Sequence, residues 1–476
     1  MKLTKIRQSL DKKEISVKEL VSYYEKNIKE KNSVLNCYIT VCNDTLSTEI
    51  ENAQYAINSN SQKSLCGIPF SIKDNICTNG IKTTCASKML KDFTPVYDAT
   101  VIKKIKSENA IILGKTNMDE FAMGSTTKTS YYGGVRNPYN TEFYAGGSSG
   151  GSACSVSAKM CAASIASDTG GSVRQPAAFC GVSGLKPTHG TISRHGLIAF
   201  ASSLDQIGII GKYASDTGFI LNSLYGIDSY DMTTSKKAPG NYLEKTEKSI
   251  KGIKIGIPKE FFNNVCDEVK NSVLIAAKHL ESLGAVLVPC SISASEFSAS
   301  AYYIISSAQA ASNLSRYDGI KYGYRSKDPA DYKDLISTSR QEGFGFEVKK
   351  RIMLGNYALS SGYYDEYYKK AVQVKNKLHS EFNNIFNTCD VILTPTTSDS
   401  GYKINSDDDF LKTYNADMLT ACVNLSGLPA ISIPCGYNKN NVPVGMSIIG
   451  RAFDEATIIQ LADVYEKDFE FKEAII

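Results

Sequence analysis

The 476-residue sequence has little of several features that mark other classes of protein. It contains no run of 18 apolar residues, and its first 14 residues, MKLTKIRQSLDKKE, lack the continuous apolar stretch of a secretion signal. We therefore expect a cytoplasmic protein that does not cross a membrane. Basic residues number 53 and acidic residues 49, so the net charge of +4 gives no sign of a strongly basic nucleic-acid-binding surface.

Patterns for metal, disulfides and nucleotides are also missing. The 13 cysteines are scattered singly, without a C-x-x-C pair or a Cys/His cluster, so the sequence predicts neither a zinc site nor a disulfide framework. The chain also has no G-x-x-x-x-G-K-[ST] loop for the phosphates of ATP.

The most informative stretch is a tract rich in glycine and serine at residues 145–187. Small and apolar residues lie between its two glycine clusters, and a flexible linker does not alternate with such core-forming segments. The second cluster, DTGGS (168–172), should follow a strand and precede a short helix over 173–179. Ser172 would then lie at a helix N-terminus, where free backbone N–H groups could bind a phosphate or a tetrahedral oxyanion. The serine beside these groups favours acyl transfer.

A nucleophilic serine needs a base, and the residue pattern alone leaves that base open. Residues 147–151 match G-x-S-x-G, which would indicate an α/β-hydrolase with a histidine base, although a Gly/Ser tract meets this pattern easily by chance. The chain has four histidines, which are His189, His195, His279 and His379. Ser183 and Lys186 match S-x-x-K, but no S-D-N or K-T-G follows. A lysine base remains an alternative.

The tract GGSSGGSA, with Ser172 in SDTGGSVRQPAAFCGVSGLKPT 24 residues after Ser148, resembles the signature of the amidase-signature family of serine amidohydrolases. The resemblance implies a triad of Ser172 as nucleophile, Ser148 as a bridging serine in a cis peptide, and Lys73, in GIPFSIKD, as base. Lys73 must be neutral for this role, which requires a desolvated setting. The backbone N–H groups of residues 169–172 (Thr169, Gly170, Gly171 and Ser172) would hold the oxyanion.

Four further segments, at 114–125, 201–208, 351–371 and 414–436, extend the resemblance over nearly the whole chain. They are similar to the A subunits of tRNA-dependent amidotransferases, a group within that family. The resemblance implies that the chain hydrolyses glutamine and supplies ammonia for converting Glu-tRNA(Gln) to Gln-tRNA(Gln), or Asp-tRNA(Asn) to Asn-tRNA(Asn). Arg351 and Asp417 would bind the α-carboxylate and α-ammonium of glutamine, and Tyr302 would line the pocket.

The same resemblance implies partners. A B subunit would use ATP and Mg and engage the tRNA, a C subunit would brace the pair, and this chain would need no cofactor or metal of its own. Two alternatives stay open, a stand-alone amidohydrolase acting on another amide and a catalytically silent scaffold, and the intact triad positions disfavour the second. The chain departs from the family at His189 and His195, where aromatic residues are more usual, and at Lys128 and Thr129, in a variable loop.

The order of elements predicts an α/β fold, because apolar strand patterns alternate with helical ones. We expect one large amidase-signature domain over 1–476, with a central mixed β-sheet covered by helices on both faces. Its parts would be an N-terminal helical segment at 1–60, the catalytic core at 61–215, and the rest of the core with the glutamine-pocket segments at 252–476. The polar, lysine-rich stretch between Tyr213 and Lys251 would be a surface excursion, and Gly114 to Asn117 would open a loop after a strand at Ala110 to Leu113.

Overall fold

A mixed β-sheet runs through the computed structural model, which describes residues 1–237, 240–405 and 410–476, with the backbone alone over 410–416. Its strands are β1 (Tyr38–Val41), β2 (Pro69–Lys73), β3 (Ile111–Thr116), β4 (Ala163–Asp168), β5 (Ser183–Lys186), β6 (Gln206–Gly211), β7 (Lys254–Pro258), β8 (Val286–Cys290), β9 (Val391–Pro395), β10 (Ala430–Tyr437) and β11 (Pro443–Gly450).

Fourteen α-helices flank this sheet in the described part of the chain. They are α1 (Leu3–Asp11), α2 (Val17–Leu35), α3 (Leu46–Asn58), α4 (Thr100–Ser107), α5 (Gly150–Ser157), α6 (Arg174–Phe179), α7 (Ala214–Leu224), α8 (Asp267–Ser282), α9 (Ser298–Asn313), α10 (Tyr332–Gly343), α11 (Phe346–Leu359), α12 (Lys369–Ile385), α13 (Phe410–Ser426) and α14 (Glu455–Asp468). None of these helices, as far as the chain is described, is long and apolar enough to cross a membrane.

The strand order is β1-β3-β2-β4-β6-β5-β10-β11-β9-β7-β8, so strands from both halves of the chain share one sheet. β2 is parallel to β3 and β4, and β7 is parallel to β8 and β9, while the remaining pairs are antiparallel. Every residue of β2, β4, β6, β9 and β11 is buried. Because successive side chains of a strand point to opposite faces, such burial requires cover on both faces. The predicted α/β fold with a mixed, doubly covered sheet is confirmed.

Two local predictions are wrong. The expected loop from Gly114 continues β3 to Thr116, because these residues pair with β1 on one side and β2 on the other. The expected surface excursion after Tyr213 begins with α7, whose Ile220 and Leu221 are fully buried. The apolar side of this helix is too short a signal to stand out in a polar stretch. Residues 238 and 239, in the same stretch, lie outside the described residues.

The N-terminal part contains α1 to α3, as the predicted helical segment requires. It also contains the edge strand β1, between α2 and α3, which the sequence pattern did not indicate.

The parallel pair β2 and β4 positions the chemically interesting residues. Phe70 lies opposite Ala163, and Ile72 lies opposite Ile165. Lys73 is the last residue of β2, and Asp168 is the last residue of β4. Since the carboxyl ends of adjacent parallel strands meet at one edge of the sheet, these two charged residues are brought to the same edge.

Candidate active site

Lys73 extends its amine into the protein interior. Its side chain is fully buried, and Nζ donates hydrogen bonds to Ser148 Oγ at 2.8 Å and to the Ser167 carbonyl at 3.1 Å. Burial disfavours the ammonium form and lowers the pKa of Lys73 to about 7, although Asp119, Asp168 and Asp205 partly oppose this shift. A large part of the Lys73 population is therefore neutral near pH 7 and able to accept a proton.

Ser148 lies in a turn that precedes α5. The peptide bond between Gly147 and Ser148 is cis, as the family resemblance implies. The turn is held from both sides, since the Asp119 N–H donates to the Ser148 carbonyl at 3.2 Å and the Gly147 N–H donates to Gln175 Oε1 at 2.9 Å. Ser149, the serine that the G-x-S-x-G pattern would make the nucleophile, is fully buried and donates its hydroxyl to the Ser167 carbonyl at 3.1 Å.

The segment from Asp168 to Arg174, here called the nucleophile loop, carries Ser172. Asp168 accepts hydrogen bonds from Arg174 Nε and Nη2 at 3.1 and 3.0 Å and from the Val173 N–H at 3.1 Å. Burial opposes the ionisation of Asp168, but the Arg174 guanidinium outweighs this and holds the pKa of the carboxyl below its usual range. This buried ion pair closes the loop into a tight turn in front of α6.

The Gly171 N–H also donates to Asp168 Oδ1, at 2.8 Å. This amide is therefore not free to bind an oxyanion in this conformation. The backbone amides of Thr169, Gly170 and Ser172 make no hydrogen bond within the described residues. They are the members of the predicted oxyanion group that remain available.

The two loop glycines cannot be replaced by larger residues without displacing their neighbours. A Cβ on Gly170 would lie 2.5 Å from Cζ of Tyr302. Gly171 has a φ of +129°, and a Cβ there would lie 2.2 Å from Thr420 Oγ1. The loop therefore needs glycine at both positions, because side chains from α9 and α13 pack directly on its backbone.

A cavity opens beside the loop. Ser172 is 7% exposed and contributes to the lining. The other lining residues are Gly124, Ser125, Gly147, Gly170, Gly171, Gln175, Tyr302, Arg351, Asp417 and Thr420. The cavity thus brings together the predicted nucleophile and all three predicted substrate-binding residues, while Lys73 and Ser148 lie buried behind it.

Tyr303 contacts two of the residues that line the cavity, Arg351 and Asp417. The Arg351 guanidinium lies 4.1 Å from the centre of the Tyr303 ring, and its Nε donates to Glu347 Oε1 at 2.7 Å. The Tyr303 hydroxyl donates to Asp417 Oδ2 at 2.9 Å. Arg351 Nη1 is buried and has no hydrogen-bond partner among the described residues. Burial raises the pKa of Asp417 to about 6, although Tyr303 and Arg351 favour its ionised form. The cavity therefore presents one fixed cation and one carboxyl group that is ionised at neutral pH.

The histidines contribute no base to this site. His195 stacks on Tyr230 at 4.7 Å, His279 contacts Asp468, and His379 contacts the Ser426 carbonyl. His189 is held by a backbone hydrogen bond to Gly427, and burial lowers the pKa of its imidazole to about 4. None of the four makes a hydrogen bond to Ser148, Ser149 or Ser172 in the described structure. No group of three or more His, Cys, Asp or Glu with the geometry of a metal site occurs among the described residues.

Sequence reasoning missed several residues that build this site. Asp168 and Arg174 lie in the tract at 145–187, whose other charged residues are Lys159 and Lys186, and two opposite charges six residues apart in so apolar a stretch were a usable signal of a buried ion pair. Thr420 donates to the Gly170 carbonyl at 2.6 Å, and Asn424 donates to Asp168 Oδ1 at 2.9 Å. Nothing near Thr420 or Asn424 in the sequence indicates these contacts, because their partners are about 250 residues away.

Comparison with known proteins agrees with this geometry. The sequence matches the amidase family over residues 19–459. It is 51% identical over 472 residues to a glutamyl-tRNA(Gln) amidotransferase A subunit of Clostridium acetobutylicum, the one numbered 2, covering 98% of this chain and 99% of that protein. It is 46% identical over 476 residues to the A subunit of the Bacillus cereus enzyme, covering 99% and 98%. The crystal structure of the glutamyl-tRNA(Gln) amidotransferase A subunit from Thermotoga maritima superimposes with a TM-score of 0.79 at 37% identity, covering 97% and 96% of the two chains. The chain therefore belongs to the amidase family, in the group formed by the A subunits of glutamyl-tRNA(Gln) amidotransferases.

Proposed function

We propose that this chain is the glutaminase subunit of a tRNA-dependent amidotransferase. The observation that carries the proposal is the cavity in which Ser172 faces Arg351, Asp417 and Tyr302. A hydrolase for simple amides needs no charged groups to bind its substrate. A free amino acid, in contrast, presents an α-carboxylate and an α-ammonium that the pocket must bind. The fixed guanidinium and the carboxyl group of this cavity match those two charges.

In the first half-reaction Ser172 Oγ attacks the side-chain amide of glutamine. With Lys73 neutral, the Ser148 hydroxyl donates its proton across the 2.8 Å contact to Nζ and takes the Ser172 proton in return. The hydroxyl of Ser172 makes no hydrogen bond to Ser148 within the described residues, and we expect that bond to form when substrate fills the cavity. The amides of Thr169, Gly170 and Ser172 stabilise the oxyanion.

Collapse of the tetrahedral intermediate returns the proton from Lys73 through Ser148 to the leaving nitrogen, and ammonia departs. A γ-glutamyl ester on Ser172 remains. Water then attacks this ester with the same relay as base, and glutamate and free Ser172 are formed. Every proton transfer and charge in this scheme is handled by side chains and backbone amides of the chain itself, so the scheme uses no cofactor or metal.

The ammonia is consumed elsewhere. We infer that a B subunit uses ATP and Mg to activate Glu-tRNA(Gln), or Asp-tRNA(Asn), and accepts the ammonia, while a C subunit stabilises the assembly. The support is the near full-length similarity to proteins named as A subunits of glutamyl-tRNA(Gln) amidotransferases. Co-purification from the native cell, followed by ammonia release assays with and without the associated chains, tests this assignment.

We expect Ser172→Ala to abolish glutamine hydrolysis, because no acyl-enzyme can form. The loss in kcat should be on the order of 10⁴ to 10⁶, as is usual when a member of a catalytic triad is removed. Ser149→Ala is the matched control, since Ser149 is fully buried next to Ser148, its hydroxyl donates to the Ser167 carbonyl, and the substitution keeps its backbone N–H bond to the Ser172 carbonyl. A Ser172→Ala protein that kept more than a few per cent of kcat would refute the nucleophile assignment.

The stand-alone amidohydrolase predicts a different substrate profile. If the chain served another amide, a primary amide without charged α-groups, such as butyramide, would be hydrolysed at a kcat/KM similar to that of glutamine. The proposed function predicts that glutamine is preferred by several orders of magnitude.

A further inference from the structure

Asp119 is a buried carboxyl group beside the catalytic residues to which no role has been given so far. It is fully buried and follows β3 by three residues. Its Oδ1 accepts a hydrogen bond from the Thr129 hydroxyl at 2.8 Å, whereas Oδ2 is buried and has no hydrogen-bond partner in the described structure. A buried carboxylate oxygen without a partner is costly, so its presence requires an explanation.

The unpartnered oxygen lies directly against the turn that carries Ser148. A Cβ built on Gly147 would be 2.1 Å from Asp119 Oδ2, so the carboxyl occupies the space next to the Gly147 backbone. The backbone N–H of Asp119 donates to the carbonyl of Ser148. A Cβ on Gly124, which lines the cavity, would be 2.4 Å from Asp119 Oδ1. Asp119 therefore packs between the bridging serine and the cavity wall.

Four titratable groups interact electrostatically with Lys73, namely Asp119, Asp168, Asp205 and Cys85. The charge of Asp168 is neutralised by Arg174. Asp205 accepts from the Thr169 hydroxyl at 2.7 Å and from the amides of Phe200 and Ala201 at 3.0 Å, so both its oxygens are satisfied. Burial raises the pKa of the Cys85 thiol well above its usual value, so it carries no charge at neutral pH. Asp119 is the group among the four that has a free acceptor and no other cation.

We propose that Asp119 is a positioning residue that supplies the countercharge for the Lys73 ammonium formed during acylation and that fixes the Ser148 turn through its backbone. The inference rests on the proposed function, because that ammonium arises when Lys73 accepts the proton of the nucleophile. An isolated cation is expensive in a buried site, and an opposite charge nearby reduces that cost. Asp119 and Lys73 make no direct ion pair within the described chain, so the carboxyl group acts on the ammonium through the buried interior rather than by contact.

Burial raises the pKa of Asp119 as well, while the nearby backbone amide of Thr127, the contacts of Thr129 and the charge of Lys73 lower it again. Each of the two groups therefore favours the charged form of the other. Asp119→Asn keeps the shape of the side chain and removes its charge. With the charge gone, the ammonium of Lys73 is less stable, so Lys73 should titrate at lower pH and be a weaker base.

The decisive experiment follows Lys73 directly. The full chain is labelled with ¹³C at the lysine ε-carbons and titrated by NMR, and Lys73→Arg identifies the Lys73 signal. We expect Asp119→Asn to move the midpoint of Lys73 down by roughly one pH unit, as is usual when an opposite charge is removed from nearby. Thr129→Val, which keeps the carboxyl group but removes a hydroxyl that stabilises its anion, should move the midpoint in the same direction by less. Asp216→Asn is the control, because Asp216 is an equally buried carboxyl that accepts from the amides of Leu3 and Tyr213, at the start of α7.

A Lys73 midpoint that is the same in Asp119→Asn and Asp216→Asn, or that rises in Asp119→Asn, overturns the inference. The pH profile of glutamine hydrolysis is recorded for the same proteins. A purely structural role would lower the plateau rate of Asp119→Asn and leave its acid limb in place, which also contradicts the inference. The NMR titration requires no turnover. A protein that does not hydrolyse glutamine therefore refutes the proposed function, while the Lys73 midpoints still decide the role of Asp119.

Discussion

The amine of Lys73 can serve as a base in the proposed reaction because the fold buries it away from water. An exposed lysine is almost fully protonated at neutral pH, and its ammonium form has no lone pair to accept a proton. Among the described residues, the hydrogen bonds of this amine at the end of β2 go to the Ser148 hydroxyl and the Ser167 carbonyl, which stabilise a cation less well than bulk water does. Burial at the end of a strand, with helices on both faces of the sheet, thus lowers the pKa of the lysine until its neutral form can act as a base.

We expect the acid limb of glutamine hydrolysis to follow Lys73. Its pKa is lowered by burial to about 7, so kcat/KM should fall as the pH drops below about 7 and the amine becomes protonated. Above that pH the amine is neutral and the rate should reach a plateau. The measurement is kcat/KM between pH 5 and pH 9.

Replacing each of the four histidines in turn provides the control for this prediction. The limb should persist in all four variants, because none of these side chains contacts the catalytic serines in the described structure. An acid limb that disappears with one histidine would favour the histidine-based hydrolase instead.

At the scale of elements, the site depends on α13 as much as on the motif that contains Ser172. Thr420 and Asn424 lie one turn apart on this helix, and both donate to the nucleophile loop. Arg174 returns a hydrogen bond from Nη2 to the Thr420 carbonyl at 3.1 Å. The turn around Gly170 and Gly171 is therefore shaped by a helix that packs on it from outside the motif.

We expect Thr420→Val to reduce kcat by roughly 5- to 150-fold. The change keeps the branched shape but leaves the Gly170 carbonyl without its donor, and an unsatisfied buried group costs about 1–3 kcal/mol. Thr420→Ser restores the hydroxyl and should restore most of the rate. The measurement is kcat beside Tm for both variants. A fully active Thr420→Val protein would show that the loop keeps its shape without this hydrogen bond.

The elements differ in how well the sequence predicts them. β2, β4 and β7 were predicted because each carries apolar residues in a short strand-like pattern bounded by polar or turn residues. The proposed triad positions could be named from the sequence because their motifs are local, with Ser148 and Ser172 in one tract. β5 and β6 were missed because glycine breaks their apolar patterns, and the contacts of α13 were missed because packing between distant segments leaves no period in the sequence.

For the whole molecule, the proposed glutamine pocket combines residues from distant segments of the chain. Arg351 is carried by α11 and Asp417 by α13, and both face the same cavity as Ser172. In the assembled complex, added ammonia would bypass the cavity. The two sources of nitrogen therefore report on different parts of the assembly.

We expect Arg351→Ala and Asp417→Ala to lower glutamine-dependent amidation and to spare ammonia-dependent amidation. Each truncation leaves a charged group of bound glutamine desolvated and unpaired, which costs roughly 2–5 kcal/mol. That cost corresponds to about 30-fold to several-thousand-fold in kcat/KM. The two activities are measured side by side on the assembled complex. Equal loss of both would mean that these residues maintain the fold or an interface with a partner, and the pocket assignment would have to be dropped.

The hydrogen bonds from Thr420 and Asn424 to the nucleophile loop also determine when a newly made chain can become active. A ribosome synthesises the chain from the N-terminus at roughly 5–20 residues per second. The segments with Lys73, Ser148 and Ser172 are therefore made well before α13. A nascent chain that ends before α13 thus holds every member of the triad but lacks the helix that shapes the turn around Gly170. If Ser172 hydrolyses glutamine as proposed, we expect the full rate only once the C-terminal segment has been made and has docked on the nucleophile loop.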